Sequence, residues 1–422
     1  MQFFVSFFSN PAVLLGAFAF IGLVLNKEKT SADVITGTFK TIIGFLIFSI
    51  GGDVITASLQ NINAMFQEGF NITGVIASPE AATALAQGEY GFVVSSVLIF
   101  GYIMNLFFAR FTRFKNILFH GGHALFTASV LGLIMKYYGY SDLVSIIVGG
   151  VILGFLMASL PQLTEPFMSD ITGDEDPGFV IGHFNMIGYS LSGYLGKLFS
   201  KDKDKTTESI KLPKFLSFFS DFLNGVAVLM LILFYISALA AGKEFTQNLA
   251  GTVHWLVFPF IQAFRFTAGM SILMTGVKMF LASLTEAFTS ISDKYIPGAK
   301  PALDVPTIFQ YAPNAVLVGF VVSYTASLLS SFVMSLLGFS VVMIPAAHIS
   351  FFSGGTAAIF GNSTGGWKGA VLGSFVMGLL LSFLPLLLYP LLAEMGIEGS
   401  AFPNVDYNII GYLLHKILSW IQ

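Results

Sequence analysis

Not one cysteine occurs in the 422 residues, which excludes disulfides, thiolate catalysis and cysteine-based metal sites. Charge is nearly as scarce. Asp, Glu, Lys and Arg make up 10% of the chain, against about 25% in a soluble domain. The net charge of −3 leaves no basic footprint, so nucleic acid is not an expected partner. No phosphate-binding loop or dinucleotide fingerprint opens a helix, which argues against ATP drive. No His/carboxylate spacing fits a metal site, and no cofactor is expected.

What is present is apolar. Hydrophobic residues reach 55%, with 46 Phe and 43 Gly. Mean hydropathy is +0.81. At about 20 apolar residues per crossing, spans are predicted over 11–26, 34–58, 91–109, 116–137, 143–161, 218–241, 252–284, 314–338, 340–361 and 369–394. The reading is an all-α polytopic membrane protein of about 10–11 transmembrane helices plus re-entrant hairpins. The basic cluster Arg110, Arg113, Lys115 and the polar run Lys197–Lys214 are expected on the cytoplasmic face.

The chain also aligns with itself. A shift of 225 residues lays Phe39–Leu59 on Phe264–Leu284. Seven of 21 positions are then identical: Phe39/Phe264, Gly44/Gly269, Ile47/Ile272, Gly51/Gly276, Ala57/Ala282, Ser58/Ser283 and Leu59/Leu284. Chance in this composition gives roughly two. The same shift sets His123 on His348 and, with one residue of slack, Glu80 on Asp304. Two halves, each with an acid and a histidine at matching places, describe a transporter with its site at the repeat interface. The division expected is 1–199 for the N-terminal half, 200–213 for a cytoplasmic linker and 214–422 for the C-terminal half.

Two kinds of segment break the helical pattern. Thr172–Phe199 is too polar for a lipid-facing helix and too apolar for an aqueous loop, so a re-entrant hairpin lining a cavity is expected. Pro297–Pro313 holds four prolines, and its counterpart around Pro79 is also proline-broken. Such interruptions at matching places point to a binding site. Glu80 and Asp304 then become candidates to accept hydrogen bonds from substrate hydroxyls. His123 and His183 are candidates to orient the ligand, whereas His120, His254 and His415 read as interfacial. Gly361–Trp367 reads as a hinge.

These residues carry a resemblance. NPAVLLG, ITGTFKTIIGFLIFSIGG, LFHGGHALF, IGHFN and above all IPGAKPALDVPTIFQYAPNAVLVGF are similar to the ascorbate-type IIC permeases of the bacterial phosphoenolpyruvate-dependent phosphotransferase system. The resemblance implies a homodimer in the inner (cytoplasmic) membrane. Each protomer would have a core domain and a V-motif scaffold, drawn from inverted repeats and moving as an elevator. It places ligand contacts on Pro79, Glu80, His123, Ala124, Leu125, Phe126, Thr127, His183, Phe184, Asn185 and Asp304. The ligand implied is L-ascorbate or a related sugar acid or polyol. Thr127 and Phe184 stand where ascorbate members carry glutamine, which keeps the polyols in view. The phosphoryl donor implied is a phosphocysteine on a cytoplasmic IIB protein, charged by IIA. With no cysteine here, IIB lies outside these residues. Asp304 is the candidate base, Glu80 the second, and the chain is not an enzyme alone. The rival is an ion-coupled secondary transporter of a small polar solute, which would accumulate its solute unmodified.

Overall fold

A computed structural model describes residues 11–26, 28–70, 74–118, 120–210 and 222–421. The first ten residues of the N-terminal half, residues 211–213 of the linker and residues 214–221 of the C-terminal half lie outside them.

In chain order the N-terminal half gives α1 (Pro11–Leu25), α2 (Ser31–Phe70), β1 (Gly74–Ala77), α3 (Pro79–Phe111), β2 (Asn116–Leu118), α4 (Gly121–Tyr137), α5 (Asp142–Ser159), α6 (Glu165–Thr172), β3 (Val180–Ile181) and α7 (Met186–Gly196). The C-terminal half gives α8 (Phe222–Ala241), α9 (Lys243–Ala250), α10 (Phe258–Tyr295), β4 (Lys300–Leu303), α11 (Pro306–Phe309), α12 (Pro313–Leu336), β5 (Val342–Ile344), α13 (Ala347–Ile349), α14 (Gly355–Phe383), α15 (Tyr389–Glu394), β6 (Ser400–Ala401) and α16 (Val405–Ile421).

Among the described residues, seven helices are long and apolar enough to cross a membrane, fewer than the ten spans expected. Of the three that differ, 11–26 gives the 15-residue α1, and local sequence explains the other two. The 116–137 stretch is cut by His120-Gly121-Gly122 into β2 and the 17-residue α4. The 340–361 stretch becomes β5, the short α13 and one π-helical turn, Ser350–Gly354, which runs on into α14. The expected hinge falls inside α14, where Gly365 and Gly366 leave helical geometry and Gly366 takes a φ of 61°. A residue with a β-carbon would be strained there.

The six short strands are the other departure from an all-helical reading. They answer a need of re-entrant backbone, whose N–H and C=O groups find no water in the bilayer. Two three-stranded parallel sheets satisfy them, in the orders β5-β1-β6 and β2-β4-β3. Each is centred on a strand from one half and flanked by two strands from the other. The registers exchange as well. Gly74 pairs with Val342 and Asn116 with Lys300. An offset of 226 carries Gly74 onto Lys300 and Asn116 onto Val342. Ile76 pairs with Ser400 and Val180 with Ala302. The same offset carries Ile76 onto Ala302, and an offset of 220 carries Val180 onto Ser400.

Alpha-helices α2 and α10 pack along one another, with α1 and α8 alongside. At 40 residues, α2 measures about 60 Å, twice a bilayer's hydrocarbon thickness, so it tilts or projects. The glycines of the repeat permit the crossing. A methyl group on Gly44 would come 2.5 Å from the Phe280 backbone nitrogen, and one on Gly51 would strike Leu273. Their repeat mates behave alike: Gly269 faces Val54 and Ile55, and Gly276 faces Phe48. Small residues let membrane helices approach to backbone contact. The remaining long helices form a second group, in which α12 packs on α14, α14 on α7, and α3 on α5.

The polar run after α7 is docked as far as residue 210. Asp202 accepts hydrogen bonds from Lys205 Nζ (2.7 Å) and Lys368 Nζ (2.8 Å). These two ammonium groups hold its carboxyl at about 2. The Trp367 N–H donates to the Lys205 carbonyl at 2.9 Å, and the Thr207 N–H to Asn362 Oδ1 at 2.9 Å. Glu208 accepts the N–H groups of Asn314 and Ala315 at 3.3 and 3.1 Å, capping the positive end of α12. The hinge in α14 is therefore clasped by the segment joining the two halves.

Candidate functional site

Both candidate acids follow directly on the central strand of a sheet. Ser78, just after β1, caps α3 by accepting the Ala81 N–H at 3.3 Å, and Pro79 occupies the first helical position. Serine before proline is a strong helix start, and it fixes Glu80 in the first turn. The Ser78 hydroxyl also donates to Glu80 Oε2 at 2.8 Å, and His348 Nε2 stands 3.4 Å from the same oxygen. Asp304 follows β4 in the same way. It accepts its neighbour Val305's N–H at 2.7 Å and faces His120 Nε2 at 3.2 Å.

The histidines come from two turns. His120 precedes α4 and caps it, its Nδ1 accepting the His123 N–H at 3.2 Å. A ring accepting at Nδ1 carries its proton on Nε2, so the N–H points at Asp304. His123, one turn on, contacts the Tyr407 hydroxyl through Nδ1. His183 lies in the turn after β3, with Nδ1 2.6 Å from the Tyr189 hydroxyl. The His123 and His183 ring centroids lie 3.9 Å apart, with the ring planes tilted by 59°. The ligand atoms of His120, His123 and His183 lie within 4.8 Å of one another, a cluster that no spacing in the sequence announces. Both nitrogens of His120 are engaged, so the cluster offers N–H donors rather than three lone pairs for a metal.

One cleft of about 610 Å³, open end included, is lined by Pro79, Glu80, His120, His123, Phe126, His183, Asp304 and His348. Its walls also hold Met270, Leu273 and Met274 from α10, with Ile349, Phe352 and Ser353. Among the described residues no lysine or arginine lines it. Two carboxylates accept hydrogen bonds, imidazole N–H groups donate them, and methionine, leucine and phenylalanine cover C–H faces. That is a surface for a compact polyhydroxylated molecule.

Six of the eleven expected contacts therefore meet in one place: Pro79, Glu80, His123, Phe126, His183 and Asp304. Five do not reach it. The Thr127 hydroxyl is closed onto the His123 carbonyl at 2.8 Å. Ala124 and Phe184 are fully buried away from the cleft, and Leu125 faces a different cavity. Asn185 is a brace. Its Nδ2 donates to Ser353 Oγ at 2.8 Å, and its Oδ1 accepts the Val405 N–H at 2.7 Å. Beside it, the Asp406 carboxylate accepts the Met186 and Ile187 N–H groups at 2.9 and 3.2 Å, capping α7 from α16. Sequence reading missed this brace, Tyr189, Tyr407 and the place of His120. Only His120 had a local signal: it sits three residues before His123, at the start of a helix.

The fold and cleft describe a multi-pass membrane protein with two carboxylates and several imidazoles gathered in one cleft. Residues 6–406 match the family model for the PTS system sugar-specific permease component (EIIC-GAT), and the chain belongs to that family. It is 27% identical over 430 aligned residues to a Mycoplasma pneumoniae protein named as the ascorbate-specific PTS system EIIC component. That alignment covers 89% of this chain and 64% of the relative, so the chain spans under two thirds of the relative's length.

Proposed function

We propose that the cleft binds L-ascorbate, or a related sugar acid or polyol, and delivers it for phosphorylation by a separate cytoplasmic IIB protein. The observation that carries this reading is the meeting of Glu80 and Asp304, from equivalent positions in two halves, with three imidazoles in one cleft. The hydroxyl oxygen of the bound substrate attacks phosphorus in line and the S–P bond of the IIB phosphocysteine breaks. The hydroxyl proton passes to a carboxylate, and the cysteine leaves as thiolate. Asp304 is the base in this scheme, because its side chain is 39% exposed whereas that of Glu80 is 9% exposed. A base must meet a donor arriving from solution; an anchor need not. His120, His123 and His183 orient the substrate through their N–H groups.

The exchange of strand pairings and of glycine contacts between the halves supports an inverted repeat. In this reading α1, α2, α8 and α10 form the scaffold of a homodimer, and the remaining helices form a core that carries the sugar across as an elevator. The test is reconstitution. Purified chain in proteoliposomes should bind the sugar and form no sugar phosphate until phosphorylated IIB is added outside the cytoplasmic face. IIA restores the donor. Accumulation of unmodified solute driven by an ion gradient, with no donor present, would replace this scheme with ion-coupled transport.

A further inference from the structure

A second cleft lies on the other side of Glu80. It encloses about 830 Å³, open end included, between α1, α2 and the start of α3. Glu80 lines both clefts. From α3 it adds Thr83 and Gln87, and from α2 Ser49 and Asp53. Positions 80, 83 and 87 fall on one helix face. Thr83 is 1% exposed. Its hydroxyl and both amide atoms of Gln87 have no hydrogen-bond partner among the described residues. Buried polar groups are ordinarily paired. Here the two residues that carry such atoms line one space, next to a carboxylate shared with the central cleft.

Helix α3 is broken at Tyr90, where the backbone leaves helical geometry, so Glu80, Thr83 and Gln87 share its short first segment. Among the described residues no cation lines the cleft and two carboxylates do, so a hydroxyl-rich face suits it better than an acidic one.

We propose that Thr83, Gln87, Ser49 and Asp53 form an antechamber that holds a hydroxyl-rich solute and hands it to Glu80. The inference rests on the sugar-transport reading for its ligand class, but its geometry does not require the phosphoryl step. Gln87 makes no bond that holds the fold, so its replacement tests binding without orphaning a partner.

The absence of native cysteine provides a clean probe. Gln87→Cys and, as a lipid-facing control on the same helix, Phe92→Cys are treated with a membrane-impermeant cationic thiosulfonate outside right-side-out and inside-out vesicles in turn. Gln87→Cys should react and Phe92→Cys should not. The transported sugar, at ten times its dissociation constant, should slow the reaction about tenfold by occupancy. Gln87→Ala should raise the KM of uptake about 3–10-fold with little change in kcat, the effect of losing one neutral hydrogen bond. Labelling of Gln87→Cys from neither face overturns the antechamber. Labelling that sugar does not slow, or an unaltered KM, reduces the antechamber to a water-filled cavity. Failure of the phosphotransfer reading shows separately, as wild-type protein that forms no sugar phosphate with phosphorylated IIB.

Discussion

Glu80 and Asp304 occupy the same station in the two halves, yet their surroundings have diverged. Each follows the central strand of a sheet, beside a histidine from the other flank of the site. Glu80 opens a 33-residue helix and is enclosed by Ser78 and His348. Asp304 precedes a four-residue helix with prolines on both sides, and stands half open beside His120. The acid that opens the long helix is enclosed, and the acid before the short one is open to solvent. In the proposed scheme the enclosed acid anchors and the open acid reacts.

The comparison breaks most readily at Asp304. Asp304→Asn keeps an acceptor and loses the base, so donor-dependent uptake should fall by about 10²-fold or more. Sugar binding should weaken by only about 1–3 kcal/mol. Glu80→Gln should show the reverse weighting. Its binding should fall about tenfold by titration calorimetry, a loss of about 1.4 kcal/mol. Turnover of bound sugar should stay within a few-fold of wild type.

The glycine contacts sharpen the comparison of the halves at the level of packing. Gly44 abuts backbone of α10, whereas Gly269 meets the ends of Val54 and Ile55, which can shift. Gly44→Ala should therefore cost about 1–3 kcal/mol of stability and Gly269→Ala less, read as thermal unfolding in detergent. The smallest effect belongs to the clasp. The Asp202 carboxyl is held at about 2, below its ordinary 3.8. A depressed acid stabilises the fold above its unfolded value and loses that contribution as pH falls through the folded one. Asp202→Asn should then leave the melting temperature nearly unaltered at neutral pH, because the pair is exposed. Any difference from wild type should vanish below about pH 2.

Much of this fold was legible in the residues. The proline breaks read around Pro79 and over 297–313 fall where β1 passes into α3 and where β4 passes into α11; both deliver acids. The glycines that align between halves are those that meet at the α2–α10 crossing. What could not be read was contact across the chain. The resemblance placed a ligand contact on Thr127, but its hydroxyl turns back to the helix carbonyl. Asn185 sits two residues from His183 and braces Ser353 and Val405 instead. Residues 403–421 carried no hydropathy or motif signal, yet Asp406 caps α7 and Tyr407 sets the ring of His123. Partners more than 200 residues apart leave no local pattern. The strands were equally hidden, because two to four residues are too few for a period to show.

The division of labour between the two acids is open to one direct measurement: sugar-phosphate formation in a single turnover, at saturating sugar and excess phosphorylated IIB, for Asp304→Asn and Glu80→Gln at matched protein. Saturation removes the binding term, leaving only the reaction. The rate for Asp304→Asn should be about 10²-fold or more below wild type, and that for Glu80→Gln within a few-fold of it. A near-normal rate for Asp304→Asn, with the loss falling on Glu80→Gln, would contradict this assignment and move the base to the enclosed acid.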